Sequence, residues 1–362
     1  MTNLLPICSS RLLLVACVIC CWVNESVAQH KKQEAEKKIL EAIRLMDQGY
    51  VDESIGLINE AIALDAQPDY QYELGYAYYL KQDYNRVIKI IQPLLNKKET
   101  RDLYFQLLGN SYDLGGDRNK AIATYKRGLK KFPNSGKLHL ELGTMYALIE
   151  DYDRAVSYYE KGVYVEPAYS SNYYRLAQLF LSSKDKFWGL IYGEIFMNLE
   201  RNSQRTEEMS KWLFNTYLSA IQFPSDTSVS VDISNNIILF SGKDFKVPYG
   251  IGIYLPLITL SVHNETSVTL ASLNRIRTRF IESYFMNNHD KKYPNVLFHY
   301  NKQLIELVFF EAYNYWILGG GSDYEFQEWV NRNEEKWKAF IDWFKDNPID
   351  INHQNKFLRT NY

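Results

Sequence analysis

The chain has 362 residues, of which 46% are hydrophobic and 23% charged, with a formal net charge of −2. This balance is typical of a folded protein of two or three domains and excludes disorder as the default state. The slightly acidic charge argues against a general nucleic-acid-binding protein, because such a protein needs a net basic face. Aromatic residues reach 15%, with 29 tyrosines, which leaves some rings available for a binding surface.

The first 28 residues have the pattern of a secretory signal. Arg11 precedes an apolar run at 12–23, and Ser26-Val27-Ala28 places small residues where a signal peptidase reads them. We therefore expect cleavage after Ala28, export to the periplasm or cell envelope, and no transmembrane segment in the mature chain, since the apolar run is too short. A second interpretation stays open: LVAC (14–17) resembles a lipobox, in which Cys17 would be lipidated.

Residues 108–133 and 142–167 repeat one pattern at an interval of 34 residues. The matched pairs are Leu108/Leu142, Gly109/Gly143, Tyr112/Tyr146, Asp117/Asp151, Ala121/Ala155, Tyr125/Tyr159, Gly128/Gly162 and Pro133/Pro167. The same phase reaches Leu74-Gly75 upstream and Leu176-Ala177 downstream. A single helix hairpin cannot bury its own apolar face, so the recurrence predicts copies that pack against one another.

This pattern resembles the tetratricopeptide repeat, an antiparallel helix pair of 34 residues. The resemblance covers residues 35–203 and implies a helical solenoid of about five hairpins within 29–203, the first and last degenerate. Gly143 is expected to face the Ala155 side of the next helix. Aspartates such as Asp151 are expected to cap the second helices, and prolines such as Pro167 to end them.

The remainder of the chain is expected to form a capping helix (204–223), a β-strand segment (224–268) and a helical segment (269–362). Apolar alternation predicts strands at 229–240, 244–250 and 251–263, and helical spacing predicts helices at 273–285, 296–318, 323–330 and 333–348. The fold class is thus mainly α: a repeat solenoid followed by a C-terminal α+β module. The tail resembles those of exported repeat proteins of the Bacteroidota, and this resemblance assigns no function to it.

No catalytic constellation stands out. All four cysteines lie in the signal segment, and the histidines are scattered without metal-ligand spacing. Gly319–Gly321 follows a helix and lacks a downstream Lys-Ser/Thr, so a helix end is the better interpretation than a phosphate loop. Arg275 and Arg279, four apart, would either pair with an acid or bind an anion. We therefore expect no enzyme, no cofactor and no metal.

In this repeat family, the first helix of each pair lines a concave groove whose variable positions contact the ligand. Transferred to this chain, the resemblance implies an exported scaffold or adaptor that binds a protein or peptide in the groove, and no nucleic acid. The implied binding residues are Tyr72, Tyr76, Tyr79, Gln106, Asn110, Asp113, Tyr174 and Gln178. Tyr72, Tyr76 and Tyr79 fall at helical spacing and form one aromatic stripe.

Two alternatives remain open. The chain's own apolar face at 337–344 would cover the stripe, since exposed aromatic clusters usually find a cover. A rival function is an envelope carbohydrate-binding protein or hydrolase, with its site in the C-terminal module. That function requires two carboxylates to converge beside an aromatic platform, and its candidates are Glu306, Glu311 and Glu325.

Overall fold

The computed structural model describes residues 9–225, 228–235 and 247–362, and it is mainly α-helical. The chain forms two compact units, Met1–Phe132 and Pro133–Tyr362. Within the described ranges, no helix is both long and apolar enough to cross a membrane. Residues 236–240 of the strand predicted at 229–240, and residues 244–246 of the strand predicted at 244–250, lie outside the described residues.

The first unit consists of helix hairpins. Its helices are α1 (Ser9–Asp47), α2 (Val51–Leu64), α3 (Pro68–Leu80), α4 (Tyr84–Ile91), α5 (Asp102–Leu114) and α6 (Arg118–Lys131). Consecutive helices pair as α1–α2, α3–α4 and α5–α6. Gly109 lies so close to the ring of Tyr125 that a Cβ atom there would be 2.1 Å from it. The fixed phase of the sequence pattern therefore corresponds to a close contact inside the hairpin.

The second unit also begins with hairpins. Its first helices are α7 (Gly136–Ala147), α8 (Tyr152–Val165), α9 (Ser170–Leu181), α10 (Lys186–Leu199) and α11 (Gln204–Ala220). The pairs α7–α8 and α9–α10 pack as hairpins, and α11 packs on α10. Every residue of α10 from Phe187 to Asn198 is buried, which places this helix inside the core of the unit. The capping role expected for 204–223 stays a prediction.

The helix ends follow the sequence pattern. The side chains of Asp83, Asp117 and Asp151 each accept a hydrogen bond from the backbone N–H three residues later, at 3.1, 3.0 and 3.1 Å. These bonds satisfy N–H groups that have no partner inside the helix. Helices α6 and α8 end two residues before Pro133 and Pro167. Both expectations are thus confirmed.

Gly143 faces the side of α8 that carries Ala155, but its nearest neighbour there is not Ala155 itself. The atoms nearest to a Cβ built at Gly143 belong to the ring of Tyr159, at 2.4 Å, and not to Ala155. Tyr159 lies one helical turn further along α8 and is almost fully buried. The aromatic position of the repeat, rather than the alanine, therefore fills the space that the glycine leaves.

The strands are fewer than the sequence predicts. Among the described residues, β1 (Ile221–Ser225) and β2 (Ser228–Val231) form one antiparallel pair, in which Ile221 lies opposite Val231. This small sheet confirms the antiparallel strands expected after the capping helix. The strand predicted at 251–263 is wrong, because a π-helical turn at Gly250–Tyr254 leads into α12 (Leu255–Ser261). Short apolar runs do not distinguish a strand from a buried helix, and here the buried positions follow helical spacing.

Helices complete the second unit. They are α13 (Leu270–Met286), α14 (His289–Lys292), α15 (Val296–Glu306), α16 (Phe310–Leu318), α17 (Asp323–Arg332) and α18 (Glu334–Asp346). The single helix predicted at 296–318 is interrupted, since Val308 has a φ of 62°, a left-handed conformation that ends α15. Gly319–Gly321 forms a 3₁₀ turn after α16, as the helix-end interpretation requires. A Cβ at Gly321 would lie 2.3 Å from Phe214, so the glycines also allow close approach to α11.

Candidate functional site

Three tyrosines of α3 form a stacked row. The ring centres of Tyr72 and Tyr76 are 6.4 Å apart with an interplanar angle of 9°, and those of Tyr76 and Tyr79 are 6.3 Å apart at 13°. Tyr72 also stacks on Tyr104 of α5 at 5.4 Å. Tyr79 meets the edge of Tyr84 of α4 at 5.9 Å. The stripe predicted from helical spacing thus exists, and both of its ends are held by neighbouring helices.

The members of the row differ in burial. Tyr76 is 37% exposed, whereas burial is the main reason that the pKa of Tyr72 is raised to about 12. The hydroxyl of Tyr104 donates to a carboxylate oxygen of Asp69 at 2.5 Å, and burial, followed by this bond, raises the pKa of Tyr104 well above its usual value. Burial also raises the pKa of the neighbouring Glu73. Tyr72 and Tyr104 therefore support the row, and Tyr76 presents its ring to solvent.

The predicted residues on α5 are engaged within their own hairpin. Asn110 accepts a hydrogen bond from the hydroxyl of Tyr125 at 2.5 Å. The carboxylate of Asp113 pairs with Arg118 at 3.2 Å, and its side chain is 18% exposed. Gln106 is half-buried. Asn110 and Asp113 connect α5 with α6, so their contribution to an open surface is smaller than that of Tyr76.

Tyr174 and Gln178 lie on α9, in the second unit. The ring of Tyr174 is 7% exposed and packs against Phe196 at 5.0 Å and Trp212 at 5.8 Å. The guanidinium of Arg205 lies over the same ring. Tyr174 therefore serves to pack α9 against α10 and α11. Gln178 is half-buried, accepts a hydrogen bond from Arg175 at 2.9 Å, and lines an open cleft.

That cleft was not anticipated from the sequence. It measures about 1040 Å³ and is formed by one face of α8, the end of α9 with residues 182–183, and residues 358–360. Arg359 closes one side of it through bonds to Glu160 at 3.0 and 3.3 Å, although the two residues are 199 positions apart. The feature of the sequence that could have indicated the cleft is the pair of tyrosines Tyr152 and Tyr164 on α8. Their rings are 51% and 50% exposed.

The apolar face at 337–344, the alternative cover for the tyrosine row, packs against other helices of the second unit. Phe344 of α18 packs against Trp316 of α16 at 4.7 Å and against Tyr313 at 6.1 Å. The ring of Trp337 makes edge-to-face contacts with Phe326 and Trp329 of α17. The apolar face at 337–344 is thus occupied inside its own unit.

The carboxylates proposed for the rival function have local roles. Glu311 accepts from the indole N–H of Trp329 at 3.2 Å and pairs with Lys336. Glu325 accepts from the backbone N–H of Leu270 at 2.8 Å. Glu306 is exposed and lies 3.9 Å from Lys302. Each of the three acids therefore has a partner other than a second carboxylate.

Arg275 and Arg279 both pair with the buried carboxylate of Glu265, at 2.6 and 3.0 Å. Of the two alternatives for these arginines, pairing with an acid is the one that the structure shows. Over the described residues, no group of three or more His, Cys, Asp or Glu side chains is arranged to hold a metal ion.

Comparison with known proteins identifies the repeat. Residues 107–184 match the family model described as "Tetratricopeptide repeat". The matched segment includes most of α5 and all of α6, α7, α8 and α9. A search of curated proteins finds no match to this chain.

Solved structures with a related fold include three proteins of low sequence identity. TTC0263, a thermophilic tetratricopeptide repeat protein of Thermus thermophilus, is 18% identical, with a TM-score of 0.44, over 49% of this chain and 98% of that protein. MamA of Desulfovibrio magneticus is 17% identical, with a TM-score of 0.36, over 47% and 97%. YrrB, described as having an unusual peptide-binding site, is 15% identical, with a TM-score of 0.34, over 50% and 94%.

Proposed function

We propose that the protein is an exported, non-catalytic scaffold that binds a protein or peptide partner through the tyrosine row of α3. The observation that carries the proposal is the exposed ring of Tyr76, held between Tyr72 and Tyr79 at 6.4 and 6.3 Å. Repeat packing does not require a ring at position 76, since the buried positions of α3 are Tyr70, Gly75 and Ala77.

The row has the properties of an interaction hot spot. Tyrosine is enriched at such sites because it offers a large apolar area with few rotatable bonds and a polar tip. The stacking of Tyr72 on Tyr104 limits the freedom of the row before any partner binds. Less side-chain entropy is then lost on binding, which favours affinity.

The test uses Tyr76→Ala, because Tyr76 is the most exposed ring of the row. Its matched control is Tyr50→Ala, a tyrosine of the same unit that is 55% exposed. We expect Tyr76→Ala to lower partner capture from the cell envelope by about thirtyfold in affinity, which corresponds to a hot spot of about 2 kcal/mol. The melting temperature should change little, and Tyr50→Ala should change neither property.

Photo-cross-linking identifies the contact directly. A photoreactive phenylalanine analogue at position 76 should form a cross-link to a discrete partner, and the same analogue at position 50 should not. If capture survives Tyr76→Ala and position 76 yields no cross-link, the tyrosine row is not the binding surface and the proposal is wrong.

A further inference from the structure

One wall of the cleft beside α8 is held together by hydrogen bonds and aromatic packing. Glu160 of α8 is buried and accepts hydrogen bonds from Arg359 and from the hydroxyl of Tyr192 at 3.1 Å. The same hydroxyl accepts a hydrogen bond from the backbone N–H of Arg359 at 3.1 Å. Phe357 packs beside them against Trp188 and Tyr192 at 5.9 and 5.2 Å. The end of the chain is therefore part of the wall, and the charge of Glu160 is already neutralised.

The two ends of the cleft carry opposite charges. At one end, Lys161 and Tyr164 line the cleft, and the ammonium groups of Lys161 and of Lys356, which is not itself a lining residue, each lie 4.7 Å from the centre of the Tyr164 ring. At the other end is Asp153, next to the exposed ring of Tyr152. Across the described part of the chain, none of these three charged groups takes part in an ion pair. The ammonium of Lys356 donates to a backbone carbonyl, that of the nearby His353.

Apolar and hydrogen-bonding side chains both line the cleft between its charged ends. Val156, Phe180 and Leu358 line it, and Ser157 and Gln178 supply hydrogen-bonding groups between them. Along α8, Asp153 and Lys161 are about 12 Å apart and Asp153 and Tyr164 about 16 Å, at a rise of about 1.5 Å per residue. An extended peptide covers that distance with about four or five residues, at about 3.3 Å each.

We propose that this cleft is a second docking site, which binds an extended peptide segment with an acidic side chain at the Tyr164 end, apolar side chains in the middle and a basic side chain at the Tyr152 end. Charge complementarity selects this occupant. An acidic group would pair with Lys161 and Lys356, and a basic group with Asp153. This site is separate from the tyrosine row, since every residue that lines it belongs to the second unit.

The acidic end should contribute most to affinity. Both lysines lie over an aromatic ring, which restricts their side chains and lowers the entropy lost when a carboxylate binds. A uniformly basic peptide would face two ammonium groups of the same charge and should be rejected.

The probes are capped six-residue peptides made of two glutamates, three apolar residues and one lysine, labelled with a fluorophore. Two of the peptides form a pair: one has the glutamates at its N-terminus and the lysine at its C-terminus, and the other has the reverse order. A third, scrambled peptide has its charged residues in the middle. Fluorescence anisotropy with the purified protein should show that at least one member of the pair binds about tenfold more tightly than the scrambled peptide. Equal binding by all three peptides overturns the proposal.

Charge reversal provides the decisive comparison. The double variant Lys161→Glu and Lys356→Glu should weaken binding of the preferred peptide about tenfold or more, and should improve binding of a peptide with inverted charges. The matched control is Lys338→Glu with Lys345→Glu, two lysines of α18 in the same unit; it should leave both affinities unchanged. Tyr76→Ala should also leave them unchanged, which separates this site from the proposed function. Unchanged binding in the Lys161/Lys356 variant, or an equal loss in the control, contradicts the proposal.

Discussion

In α5 and α7, a glycine of the first helix provides the space for an aromatic ring of the second helix. A Cβ atom would lie 2.4 Å from the Tyr159 ring at Gly143 and 2.1 Å from the Tyr125 ring at Gly109. Both rings are almost fully buried, so neither has room to move aside without disturbing its hairpin. A glycine is required here for close approach of side chain to backbone, not for a special backbone conformation.

Gly143→Leu should therefore destabilise the protein. We expect a cost of about 1–3 kcal/mol or more, because a bulky side chain forces the Tyr159 ring out of its position. Thermal melts check this value. The control is Gly56→Leu in α2, where a Cβ would meet nothing within 4 Å; it should be neutral or slightly stabilising, because glycine disfavours a helix interior. Equal melting temperatures for the two variants would show that the glycine–tyrosine contact is not tight.

A buried ion pair connects the last repeat hairpin with the helices that follow. Arg277 of α13 and Glu194 of α10 lie 2.6 Å apart, with side chains 7% and 6% exposed. The hydroxyl of Tyr313 and the amide of Asn301 also donate to Glu194, at 3.0 and 3.1 Å. Burial by itself lowers the pKa of Arg277, but the adjacent carboxylate outweighs this effect, and the guanidinium stays protonated. Four helices, α10, α13, α15 and α16, are thus joined at one carboxylate.

Arg277→Met should be strongly destabilising. Removal of one partner leaves Glu194 buried without its cation, at a cost of about 3–5 kcal/mol. Arg275→Met is the matched control, because Arg275 is half-exposed and Glu265 retains Arg279; its cost should stay within about 1 kcal/mol. Urea denaturation measures both. If the two variants lose equal stability, Glu194 does not have the connecting role that its bonds suggest.

If the protein is exported as proposed, its N-terminal segment should be cleaved after Ala28. Small residues at Ser26 and Ala28 follow an apolar run that is too short for a stable anchor. Cleavage after Ala28 would leave a chain that begins at Gln29 and contains no cysteine. Intact-mass measurement of the protein from its native envelope should show this mass. A mass that retains Cys17 and carries acyl chains would instead establish the lipidated form.

The repeat was predictable because its determinants are local. Capping by Asp83, Asp117 and Asp151 involves a backbone group three residues away, and α6 and α8 end two residues before Pro133 and Pro167. The aromatic stripe of α3 follows from helical spacing within a single element. The binding role assigned to it stays a prediction, as does the domain division of the chain.

The helical conformation of residues 250–261 could not be predicted from local determinants. A short apolar stretch satisfies either a strand or a helix, and burial of Leu257 and Ile258 in the unit's core selects the helix. Similarly, burial of Tyr174 depends on α11, which places Trp212 against its ring.

The sequence by itself determined the 34-residue hairpins, their caps and their ends, because each depends on residues within one or two helical turns or on a fixed interval. Tertiary structure alone decided which rings stay exposed, which carboxylates are neutralised and where a cleft opens. The cleft requires Arg359 to meet Glu160 across 199 positions, and Glu194 binds Arg277 across 83. No local pattern encodes such pairs, because their energies depend on burial and geometry that exist only after the chain has folded.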